Sequence, residues 1–200
     1  MPTYGDEEFI YDIAAKNSQN QSDEIQNNIK NGYIIIDNKR INFSEREVIK
    51  DRLIMTIPSD FELMPQELAE FKYPSKNRPH IIFTDVEGEI NINFTLTTDK
   101  LENEGIEDAK EYLKQVIIKM NPSSRIKKND VIEEDLRIGY FDYVSPAIDS
   151  DIYNLIFIFS LDKQLILGAF NSLHLDMAKW QEAAIQMVRS LRVIDGAKEG

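Results

Sequence analysis

Between Asn154 and Phe170 the chain reads NLIFIFSLDKQLILGAF, two apolar runs separated by Leu161-Asp162-Lys163. That spacing predicts a β-hairpin. Tyr153–Phe159 is apolar on both faces, so it belongs mid-sheet with cover above and below; Gln164–Phe170 folds back beside it. Upstream, Glu89–Thr97 alternates cleanly, with Ile90, Ile92, Phe94 and Leu96 on one face and Asn91, Asn93, Thr95 and Thr97 on the other. This is a strand with one apolar face and one face that is either wet or covered by something polar. Helical periodicity occupies 104–121, with a stripe of Ile106, Ala109, Leu113, Val116, Ile117 and Met120, and again about His174–Leu191, with Met177, Trp180, Ala184, Met187, Val188 and Leu191.

The remaining pattern fills in around these. Tyr33–Asp37 and Arg40–Phe43 flank Asn38-Lys39 as a second hairpin, and Arg52–Ile57 is a strand that Pro58 ends. Pro65 opens a short helix, PQELAEFKY. Ile81–Thr84 is a short strand, and Ile126–Glu133 with Leu136–Val144 form a hairpin around Glu134-Asp135. Strands come in runs rather than alternating with helices. The expected class is therefore α+β: a mostly antiparallel sheet flanked by helices on both faces. Residues 1–32 differ from the rest, with Ile25 and Ile29 four apart and Gly32 as a helix stop, and read as a helical or partly disordered arm. Residues 33–194 form the single domain and 195–200 a fraying tail.

Three short features carry a family resemblance. A strand ends in Pro58-Ser59-Asp60-Phe61, a long helix follows a meandering strand pair, and a closing helix carries Trp180 with Ser190-Leu191-Arg192-Val193 at its end. In these the chain resembles the Mog1/PsbP-like group of α/β/α sandwiches over roughly residues 50–194; residues 1–45 fall outside. The resemblance implies that fold and a non-enzymatic binding or accessory role. It brings no shared catalytic motif.

Composition narrows the function classes. The formal charge of −12 argues against binding to nucleic-acid phosphates or to anionic membranes and suits a partner with a basic surface. The acidic start MPTYGDEEF and the lack of a long apolar run make the bacterial cytoplasm the expected location. With no cysteine, thiolate sites and cysteine nucleophiles drop out. The two histidines, His80 and His174, sit in no metal-ligand spacing, and no phosphate loop or nucleophile elbow occurs. Asp85–Glu89 and Asp149-Ser150-Asp151 lack the full calcium-loop spacing and read as turns. No cofactor or metal is expected.

Two loops remain as partner-binding candidates. YPSKNR, stiffened by Pro74 and followed by Pro79, presents Tyr73, Lys76 and Arg78, and Tyr and Arg are enriched at binding hot spots. YVSPAIDSD presents Tyr143, Asp149 and Asp151 between two long strands. Both also read as ordinary connections. Three functions compete: a non-enzymatic protein-binding or accessory module, an immunity-like neutraliser of a basic effector, and an enzyme built on carboxylates. The first is expected. A homodimer through the Tyr33–Phe43 edge stays open.

Overall fold

The computed structural model describes residues 28–147 and 149–194. Along them run β1 (Tyr33–Ile36), β2 (Lys39–Ile49), β3 (Leu53–Pro58), β4 (Glu62–Leu63), α1 (Gln66–Lys72), β5 (Ile81–Thr84), β6 (Asn91–Lys100) and α2 (Ile106–Met120). Then follow β7 (Arg125–Glu133), β8 (Arg137–Ser145), β9 (Ile152–Leu161), β10 (Gln164–Leu173), α3 (Met177–Arg189) and β11 (Arg192–Val193). Most of the expected arm and the whole expected tail lie outside the described residues.

The β9–β10 hairpin is the spine of a seven-stranded sheet, ordered β4-β5-β6-β10-β9-β8-β7 and antiparallel throughout. Its turn is Asp162-Lys163, with φ of 53° and 61°, the positive pair that a two-residue hairpin needs to follow the twist of its strands. The β1–β2 turn uses the same device at Asp37-Asn38, φ 49° and 60°, one residue earlier than the sequence pattern suggests. Asn and Asp tolerate this region, which explains a tight turn without glycine.

Alternation along β9 assigns each face. Tyr153, Leu155, Phe157 and Phe159 join the main core with Phe94, Ile166 and Phe170. Ile156 points the other way, with Phe141 and Ala169, against Leu113 and Ile117 of α2. α3 packs on β9 and β10 from the main-core side and also touches β3. Trp180 anchors it, its ring 6.0 Å from Phe170. Helices therefore cover both faces of the central strands, and the chain is α+β.

The pattern did not show a second sheet. β1-β2-β3-β11 form a separate four-stranded sheet that shares the α3 layer. Ser190 Oγ accepts from the Thr56 N–H at 2.9 Å, tying the end of α3 to β3. Ile29, in the short turn before β1, is buried, and its N–H donates to Gln186 Oε1 at 2.9 Å. Gly32 closes that turn in the left-handed region, φ 79°. Among the described residues no helix is long and apolar enough to cross a membrane.

The α2 stripe needs two corrections. Met120 is 81% exposed, because the helix runs off the sheet in its last turn. Lys110 takes a place in the stripe instead, 3% exposed, its stem against Gly139 of β8 and its Nζ 3.4 Å from Glu111. Long lysine stems cover apolar surface while the charged head finds a partner. Glu111 also accepts from Lys114 at 2.5 Å and from Asn129 of β7 at 2.7 Å. Lys114 first, and then Asn129, hold its carboxyl at about 2. A depressed carboxylate contributes stability above its ordinary value near 4.5, and that contribution is lost as pH falls from there through about 2. We expect the Glu111 carboxyl carbon to titrate at about 2 by NMR, and to move up in Lys114→Ala. A midpoint in the ordinary carboxylate range would contradict the ion pair.

Candidate functional site

The site is built on the α2 face of the large sheet. Residues 91, 93, 154 and 171 are asparagines whose register brings their side chains together on this face. Asn93 Nδ2 donates to Asn171 Oδ1 at 3.2 Å, Asn171 Nδ2 to Asn154 Oδ1 at 2.7 Å, and Asn154 Nδ2 to Ser145 Oγ at 3.1 Å. The polar face foreseen for β6 is thus largely dry and satisfied by a row of amides crossing three strands and ending on Ser145 of β8. Asn91 Oδ1 is buried without a partner among the described residues. At one end of the row, Tyr73 bonds Asn93, and burial pushes its phenol up. At the other end stands Ser145, the last residue of β8.

Beyond Tyr73 the chain crosses from α1 back to β5. β4 pairs with β5 only at Glu62 and Leu63, and then the chain departs into α1. A cleft of about 580 Å³ opens where they part. Its walls carry Lys76, Arg78 and His80, and apolar side chains including Leu63, Met64 and Ile81. Arg78 is half-buried and bonds Glu70 at 3.3 Å, while Gln66 donates to the same Glu70 oxygen at 3.0 Å. His80 Nδ1 accepts from the Leu96 N–H at 3.2 Å, so in the neutral ring Nε2 carries the hydrogen and stays a donor. Lys76 has no ion-pair partner among the described residues.

The structure thus gathers Lys76 and Arg78 in one cleft, with Tyr73 at its flank. It does not bring the second loop to them. Tyr143 stacks on Phe141 beneath α2, ring centroids 6.2 Å apart, and burial raises its phenol. Asp149 is exposed, and Asp151 gives its carbonyl to the His174 N–H at 2.8 Å. Asp85, in the calcium-like stretch, serves its own turn by accepting from the Ile90 N–H at 2.9 Å. Sequence reasoning missed His80, Leu63 and Met64 as cleft residues. The histidine follows Pro79 directly, a signal that was on the page; the other two arrive only through the β4–β5 pairing.

A second cleft, about 670 Å³, lies between the small sheet, the end of α3 and the β7–β8 turn. Its arginines are already engaged, Arg189 with Glu134 and Arg192 with Glu45, each at 2.6 Å. Among the described residues no group of three or more His, Asp or Glu is placed to hold a metal ion.

Comparison with solved structures fits this architecture. Cyanobacterial PsbP (CyanoP) from Synechocystis sp. PCC 6803 matches with a TM-score of 0.55 at 12% identity, over 76% of this chain and 92% of that one. The fold is PsbP-like. LpqN, involved in cell envelope biogenesis of Mycobacterium tuberculosis, matches this chain with a TM-score of 0.47 at 12% identity, over 76% and 91% of the two chains. A Pseudomonas aeruginosa protein of unknown function gives 0.43 at 10% identity, over 74% and 94%. No family model matches the chain, and no curated protein matches it in sequence.

Proposed function

We propose that this chain is a non-enzymatic partner-binding module that contacts its partner at the cleft between α1 and β5. The observation that carries the reading is the convergence there of Lys76, Arg78 and His80 beside Leu63, which is 60% exposed. Lys76, which has no ion-pair partner among the described residues, and the spare donors of Arg78 and His80, next to uncovered apolar surface, are what a binding surface offers. The loop is tied by the Asn77 N–H to Ser75 Oγ and the Arg78 N–H to the Ser75 carbonyl, and its end by the His80 N–H to the Phe94 carbonyl of β6, bonds that reduce the ordering left to do on binding. Neutralisation of a basic effector draws less support, because Glu45 and Glu134 of the second cleft are already paired. A carboxylate enzyme draws less still: Asp142, the fully buried acid, lines neither cleft.

The test is affinity capture from the source cell with the full chain and with a Lys76→Glu, Arg78→Glu variant. A specific partner should be held by the first and lost, by at least about tenfold in yield, from the second. A partner retained equally by both overturns the assignment of the cleft.

A further inference from the structure

We infer that the cleft recognises a short acidic segment of a partner protein, in which a carboxylate lies close to an apolar side chain. This rests on the reading of the cleft as the contact surface and adds the chemistry of the occupant. The first argument is charge. The chain carries −12, yet from Tyr73 to His80 it has Lys76 and Arg78 and no acid. A cationic spot on an acidic protein selects an anionic group and repels little else of its own surroundings.

The second argument is geometric. Arg78 already holds a carboxylate, that of Glu70, at 3.3 Å, so its guanidinium is set for such a group. Only one of its five donors is spent on that contact. Lys76 and His80 Nε2–H supply further donors beside it. The third is the apolar floor of Leu63, Met64 and Ile81, with Leu63 in water. The fourth is room. On its outer side β5 is paired at Phe83 and Thr84, and the Ile82 carbonyl accepts from the Met64 N–H at 2.8 Å, so Ile81 borders the open space. A volume of about 580 Å³ suits a few side chains rather than a domain face.

The test uses the full chain, isotope-labelled, titrated by NMR with two pools of short peptides of equal length. One pairs Asp or Glu with Leu or Phe; the other pairs Lys or Arg with the same apolar residues. Free succinate is the third probe. The acidic pool should shift the amides of Lys76, Arg78, His80 and Ile81, and should weaken at least about tenfold in the Lys76→Glu, Arg78→Glu variant. Glu70→Gln keeps an acceptor for Arg78 while lifting a like charge, so it should tighten the acidic pool severalfold. Preference of those same amides for the basic pool, or equal binding of succinate alone, overturns the acidic segment and leaves the cleft as contact surface. Silence of those amides to every probe, with a captured partner still bound by the double variant, overturns the cleft itself.

Discussion

Replacing Gly168 by alanine should destabilise the protein by about 3 kcal/mol, a fall in melting temperature of about 10 °C. Gly168 lies in β10 opposite Phe157 of β9. A Cβ built there meets Phe157 Cε2 and Cζ at 2.2 Å and Cδ2 at 2.9 Å. The phenyl ring lies where the methyl group would go. It cannot swing away cheaply, because it is fully buried, edge-on to Phe94 at 5.8 Å and stacked on Phe159 at 6.4 Å. The backbone at this glycine is ordinary extended strand, so the penalty is steric rather than conformational. Alanine would even gain roughly 0.5–1 kcal/mol from a less flexible unfolded chain, which is small against overpacking in a dense core. The diagnostic variant is Gly168→Ala with Phe157→Leu. If the ring is the obstacle, the double variant should be more stable than the sum of the two single losses, by at least about 1 kcal/mol. Additive losses, or Gly168→Ala within about 0.5 kcal/mol of the parent, would show that the ring yields and that this account of the spine is wrong. Gly139 gives the comparison. A Cβ there meets Ile106 and Lys110 side chains at 3.1 Å, contacts that a helix surface can relax, and the loss should be smaller.

That spine was readable from residues alone. Seventeen letters with two apolar runs around a short break give the hairpin and its central position, because both follow from local sequence; the register does not, since Leu161, read as part of the connection, pairs with Gln164 and leaves Asp162-Lys163 as the turn. The alternation of Ile92 and Phe94 with Asn91 and Asn93 gave the two faces of β6 in the same way. What was not readable depends on pairing between distant segments. The four-stranded sheet hid because β2 carries Glu45, Arg46 and Glu47 in succession, with a register shift before Ile49, so its period-2 signal is broken. The amide row hid because Asn93, Asn154 and Asn171 come from three strands and meet only after register is set. The same logic divides the candidate site. Tyr73, Lys76 and Arg78 fall within one six-residue stretch and announce a proline-bracketed, basic loop, whereas Leu63 and Met64 reach it through a two-residue strand that no pattern signals. Tyr143 illustrates the converse: its loop position suggested a contact residue, but its place on β8 opposite Asn154 puts the ring under α2.

Removing the carboxylate of Asp142 should be the most damaging polar change in the molecule. Asp142 is 0% exposed and sits on the core face of β8. Its Oδ1 accepts from the Lys128 N–H at 2.5 Å, and its Oδ2 from Tyr153 OH at 3.1 Å and Gln181 Nε2 at 2.5 Å. One side chain thereby joins β7, β8, β9 and α3. The Lys128 amide is available because β7 shifts register between Ile126 and Asn129, which lifts it out of the ladder. Burial first, and then the neighbouring carboxylate, push the Tyr153 phenol well above its usual range, so it remains a donor at any working pH. Asp142→Ala strands three donors at once, one buried and two half-buried, and should cost roughly 3–5 kcal/mol. Asp142→Asn keeps the shape but turns one acceptor into a donor facing donors, for about 2–3 kcal/mol. Tyr153→Phe removes a single donor and leaves the carboxylate two others, so about 1 kcal/mol is expected. Chemical denaturation should return that order, and hydrogen exchange at Lys128 should quicken in both Asp142 variants while Tyr153→Phe leaves it slow. An Asp142→Asn protein as stable as the parent would show that three converging donors do not require a second acceptor oxygen there, and the tie between β7 and α3 would need another explanation.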